Sequence, residues 1–71
     1  LTVYTSNNGI VVNCSEMISE VVVFDVLGRK LHQQTVNQEE VVVSKIVKSN
    51  QALLVKTTLS NGQVITKKVI Y

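Results

Sequence analysis

At 71 residues, 45% hydrophobic and 17% charged, the chain is apolar enough to exclude a disordered segment and is sized for one small domain. Its formal net charge of +2 is too mild to mark a nucleic-acid binder by itself. Cys14 is the only cysteine, so no internal disulfide is possible and packing must hold the fold.

Read in chain order, the pattern is β throughout, with β-branched residues in every run and no capped helical periodicity. Leu1 to Thr5 predicts a first strand, Ser6-Asn7-Asn8-Gly9 a tight turn, and Ile10 to Cys14 a second strand. Ser15 to Ser19 reads as a polar loop. Glu20 to Val26 predicts the third strand and Arg29 to Val36 the fourth, separated by the turn Asp25-Val26-Leu27-Gly28. Asn37 to Glu40 reads as a further loop before a fifth strand, Val41 to Lys45. Ser49-Asn50-Gln51 leads into a sixth, Ala52 to Leu59, and Ser60-Asn61-Gly62 closes a hairpin onto Gln63 to Tyr71. Seven short antiparallel strands at about ten-residue spacing predict a small immunoglobulin-like β-sandwich.

Two strands carry more than their propensity. The third is apolar on both parities, Val21 and Val23 on one face and Val22, Phe24 and Val26 on the other. That marks a central strand, or one with a face awaiting a partner. The last places Lys67 on one face and Lys68 on the other, a common way to guard a sheet edge.

The residues predict no catalytic, metal or cofactor site. His32 is the only histidine and no third group is indicated to orient a Cys14–His32 pair, so Cys14 reads as a small core hydrophobe. One Cys and one His fall short of a zinc set, and Asp25 is the sole Asp among scattered glutamates. Gly9, Gly28 and Gly62 are isolated, so no phosphate-cradling loop is present. No apolar run nears the ~20 residues of a membrane helix. The chain starts at Leu1 without a signal peptide and reads as a domain, residues 1–71, cut from a longer protein.

Chemistry therefore concentrates in two passages. In the first, Asp25 and Gly28 suit the ends of a type I turn, with the carboxylate capping nearby N–H groups and Arg29 and Lys30 displayed beyond it. In the second, Lys67, Lys68, Val69 and Ile70 form a strand that a partner can read by strand addition.

These passages resemble the C-terminal sorting domains of the type IX secretion system of Bacteroidetes-type bacteria. That family carries Asp-Leu-x-Gly-Arg/Lys-x-Val after an aromatic position, matched here by Phe24, Asp25, Val26, Gly28, Arg29 and Leu31. It then shows an aliphatic strand, a turn with Gly and a closing Lys-Val/Ile strand. Leu53-Leu54-Val55-Lys56, Asn61-Gly62 and Lys67-Lys68-Val69-Ile70 fill those places. The commonest subtype opens with Pro-Asn-Pro and carries Gly-x-Tyr before the penultimate strand. This chain has no proline and offers Gln51-Ala52-Leu53 there, so it is more similar to the type C subtype.

The resemblance implies a secretion signal with no enzymatic activity of its own. Its cargo would cross the periplasm to the cell surface or medium. Its partners would be the outer-membrane translocon and shuttle proteins, with processing by a sortase-like cysteine peptidase, and it would neither insert in the membrane nor bind nucleic acid. The residues read by the translocon would be Asp25, Gly28, Arg29, Lys67, Lys68, Val69 and Ile70. The alternative reading is a β-sandwich adhesion or carbohydrate-binding module, which the absence of Trp for ring stacking weakens.

Overall fold

The computed structural model describes all residues from Leu1 to Tyr71 and contains five antiparallel strands and no helix. They are β1 (Thr2–Ser6), β2 (Gly9–Asp25), β3 (Lys30–Val43), β4 (Ala52–Leu59) and β5 (Val64–Ile70). The sheet runs β1-β2-β4-β5, with β3 also paired to β2. β2 organises it. Its first part, Gly9 to Asn13, lies between β1 and the end of β3; its second, Ile18 to Asp25, lies between the start of β3 and β4. Because one strand serves two sets of neighbours, the sheet curls around a single core. β1 is thereby brought close to β5.

The seven expected strands are thus five. The segments Ser15–Ser19 and Asn37–Glu40, expected as loops, lie inside β2 and β3. The cause is a bulge. Ile18 pairs Leu59 while Glu20 pairs Thr58, so Ser19 is an extra residue on β2. One extra residue turns every later side chain to the opposite face. Ile10, Val12 and Cys14 enter the core before the bend, and Val21 and Val23 after it. β3 inverts likewise. Val36 packs on the core before the bend, and Val41 and Val43 lie in it afterwards. The polar residues that read as strand ends occupy exposed corners of two continuous, bent strands.

Smaller corrections follow from the same register. β2 stops at Asp25 rather than Val26, and β3 runs from Lys30 to Val43 rather than starting at Arg29 and reaching Lys45 as a separate strand. The first hairpin turns at Asn7-Asn8, and Gly9 opens β2. Gly9 has φ of 142°, and a Cβ there would lie 2.1 Å from the Val43 carbonyl oxygen, so only glycine lets β3 pass. The third expected strand is indeed central, since the second part of β2 pairs on both sides, and β5 is an edge that pairs only β4.

The segment between β3 and β4 crosses from one end of the sheet to the other. Ile46 drops from it into the core, and Asn50 adopts φ of 55°, a conformation Asn tolerates better than most residues. Tyr71 then ties this segment to β5. Its N–H donates to the Gln51 carbonyl at 2.9 Å, and its carbonyl accepts from Ser49 and Gln51 at 3.1 and 3.0 Å. Its ring is buried in the core with the Lys48 ammonium 5.9 Å from the centroid, within cation–π range.

Candidate interaction site

The turn that leaves β2 is fastened by its first residue. The Gly28 N–H donates to the Asp25 carbonyl and the Asp25 N–H to the Arg29 carbonyl, both at 3.0 Å. The buried Asp25 carboxylate accepts through Oδ1 from the N–H groups of Leu27 and Arg29, each at 2.9 Å, and through Oδ2 from the Arg29 guanidinium. Gly28 has φ of 84°, and a Cβ there would meet nothing within 4 Å, so its requirement is conformational and not steric. The Arg29 N–H, its guanidinium and the Leu27 N–H hold the Asp25 carboxyl below its ordinary range, against burial, which pushes it up. Arg29 itself remains largely exposed, so the turn presents a cation whose root is fixed.

The β4–β5 turn repeats this backbone scheme. Gly62 donates to the Leu59 carbonyl at 3.0 Å, Leu59 donates to the Gln63 carbonyl at 2.8 Å, and Gly62 has φ of 90°. Leu replaces Asp at the first position, so here Asn61 supplies the side-chain acceptor, taking the Gln63 N–H at 2.9 Å.

Register brings the two sequence passages together. Asp25 pairs Leu53, which pairs Val69; Phe24 pairs Leu54, which pairs Lys68. Residues 25–29 and 67–70 therefore occupy one end of the sheet, two strand spacings or about 10 Å apart. Lys30 pairs Phe24 from the other side, so the outer face carries the row Lys30, Phe24, Leu54, Lys68. Lys68 and Ile70 point outward with that row and are exposed. Lys67 alternates with them, sharing a face with Ile65 and Val69, yet stays exposed because β5 is an edge. Val69 is buried in the core, and Asp25 and Gly28 shape the turn. Of the residues singled out from sequence, Arg29, Lys67, Lys68 and Ile70 present exposed side chains to a partner, and Gly28 exposes only backbone.

Sequence reasoning missed three components at this end. Val26 and Leu27 are 67% and 76% exposed, and apolar residues inside a turn were the available signal. Leu54 joins the site only through pairing, and only pairing sets Lys30, already expected beside Arg29, in one row with Phe24 and Lys68. A groove of about 270 Å³ is the third, lined by Leu31, Lys45, Ile46, Val47, Ser49 and Gln51. Gln51 adjoins Tyr71, and Leu31 follows Lys30, which places the groove at the same end.

Cys14 is buried, and its sulfur accepts the Glu16 N–H at 3.4 Å. His32 pairs Val23, far along β2 from Cys14, and its Nε2 is 3.1 Å from Gln34 Oε1. No three His, Cys, Asp or Glu side chains converge to hold a metal ion.

One family model matches residues 1–71, the whole chain. The chain belongs to that family, DUF8694, a domain of unknown function. No curated protein matches it. The DUF8694 match covers the turn end and the bend alike, so all five strands lie within the family's span.

Proposed function

We propose that this DUF8694 domain is a C-terminal sorting signal of the type IX secretion system, carrying a cargo domain across the outer membrane. The observation that carries the reading is the register Asp25–Leu53–Val69. The two passages that resemble the sorting domains lie 42 or so residues apart in sequence, yet form one exposed end around Arg29, Lys68 and Ile70. A receptor can therefore read both at once. The finer fold reading belongs with this proposal. Counting β2 and β3 separately on either side of their bends yields seven strand segments, which supports an immunoglobulin-like sandwich whose sheets share two strands. The partners are the translocon and its shuttle proteins, with a sortase-like cysteine peptidase acting at the surface. The domain transits the periplasm and reaches the cell surface or medium. Binding is small and transient, as suits a signal that must be released.

The test is a fusion of residues 1–71 behind a periplasmic reporter in a type IX-competent host. Export is expected there and periplasmic retention in a strain lacking the translocon. Equal export in both strains would overturn the reading and favour the adhesion or carbohydrate-binding module.

A further inference from the structure

The net charge of +2 conceals a segregation. Lys30 and Lys68 share the Phe24 row, Lys67 the Val23 row and Lys56 the Val22 row, while Arg29 lies in the turn. Lys45 lines the groove and Lys48 stands over Tyr71. Six of the seven cations thus occupy the turn end and its flank, and Lys56 lies between them and the Glu20 row. The four glutamates lie around the bend: Glu16 two residues before Ile18, Glu20 opposite Thr35 and Thr58, Glu40 opposite Asn13, and Glu39 beside it. The only ion pair is Arg29 with Asp25, which neutralises the one carboxylate at the turn end and leaves six lysines without an acidic partner. Glu20 alone reaches toward this end: the Lys30 ammonium donates to Gln33 Oε1 at 2.8 Å and Gln33 Nε2 donates to Glu20 at 2.7 Å, which brings that carboxylate within the ~8 Å screening length of Lys30. Lys45 and Lys48 at the groove pair with no carboxylate, so a partner there meets an excess of positive charge.

The groove among these lysines is small. At about 270 Å³ it falls just below the roughly 300–1,000 Å³ of pockets that enclose small-molecule ligands. It is an open notch with half of its lining apolar. Leu31 and Ile46 form part of its wall, and Val47, 81% exposed, stands at its rim. No exposed aromatic lines it, so stacking on a nucleobase or sugar has no platform.

We propose that this end is a docking surface for an acidic polypeptide segment, which seats one aliphatic side chain between Leu31 and Val47 while its carboxylates face Lys45, Lys48 and Lys30. The lysines speed encounter and set the sign of the partner; the notch selects sequence. This surface stands on charge and shape and does not depend on the export reading.

The test uses fluorescence anisotropy with a labelled Glu-Glu-Leu-Glu-Glu peptide on the intact domain. The Leu peptide is expected to bind at least tenfold tighter than its Leu-to-Ser counterpart and than Lys-Lys-Leu-Lys-Lys, and to weaken from about 50 to about 300 mM salt. Val47→Ser and the double variant Lys45→Glu with Lys48→Glu alter exposed loop residues and should each weaken binding about tenfold with an unchanged circular dichroism spectrum. Equal affinity for the Ser peptide would reduce the surface to generic charge attraction and overturn the proposal. So would absent binding, insensitivity to both variants, or tighter association with phosphatidylglycerol vesicles. Salt-sensitive self-association in sedimentation, abolished by Met17→Ser in the glutamate-rich bend, would assign the notch to a second copy instead. Export lost with peptide binding intact sinks the sorting reading alone; binding lost with export intact sinks this one alone.

Discussion

Asp25 and Arg29 are joined three ways: backbone to backbone, carboxylate to backbone N–H, and carboxylate to guanidinium. The carboxylate is buried and the guanidinium exposed, so one partner anchors the turn and the other faces outward. A structural and a recognition role are divided between two residues four positions apart.

That pairing sets an acid sensitivity. The folded Asp25 titrates below its ordinary value of 3.8, so its contribution is present above that value and is lost as pH falls through the lower one. Asp25→Asn removes the titration. The melting-temperature gap between wild type and Asp25→Asn should be widest near neutral pH and should narrow below about pH 4. A gap independent of pH would show that the charge of Asp25 does not stabilise the turn.

Gly9 and Gly28 are needed for different reasons, and substitution should separate them. Gly9→Ala drives a Cβ into the Val43 carbonyl as well as straining φ, and should cost about 2 kcal/mol or more in urea unfolding. Gly28→Val strains φ in open space and should cost about 1–2 kcal/mol, with Gly28→Asn milder because Asn tolerates positive φ. Equal costs for Gly28→Asn and Gly28→Val would contradict a conformational requirement.

Thr57 is fully buried on β4 with a hydroxyl that finds no partner. Valine has nearly the same shape without the polar atom. Thr57→Val should stabilise by about 1–2 kcal/mol, seen as a higher denaturation midpoint at unchanged slope. A drop in stability would mean that a hydrogen bond to Thr57 exists in solution.

The bend is testable through Ser19, whose Oγ donates to the Thr58 carbonyl at 3.0 Å. Ser19→Ala should lose only that bond, about 1 kcal/mol. Deleting Ser19 removes the bulge and turns Val21, Val23 and Asp25 to the outer face, so the domain should fail to fold cooperatively. A deletion variant with wild-type thermal unfolding would refute the parity inversion.

For recognition, Lys67→Gln with Lys68→Gln keeps β5 intact, and reporter export should weaken while circular dichroism stays unchanged. Truncation after Lys68 is a poorer probe. Val69 and the Tyr71 ring are core, and Tyr71 makes three main-chain bonds, so its loss unfolds what it would test. Full export by the double Gln variant would exclude these two lysines from the read-out.

Local chemistry carried much of this protein by itself. Asp and Gly three apart, Asn before Gly, and runs of β-branched residues are short-range preferences of the backbone, and the turns at 25–28 and 60–62, β4, β5 and the all-β class followed from them. The bends in β2 and β3 did not. Val21-Val22-Val23 is apolar on both parities, so no periodicity could show which face turns inward after Ser19, and polar corners look like strand ends. Pairing with strands remote in sequence decided both. Tertiary structure likewise sorted most of the charges: lysines and glutamates are interspersed along residues 30–48, and only the register of β2 with β3, which sets Glu40 opposite Asn13, and the crossing from β3 to β4, which brings Lys45 to the groove beside Leu31 and Gln51, draw them apart.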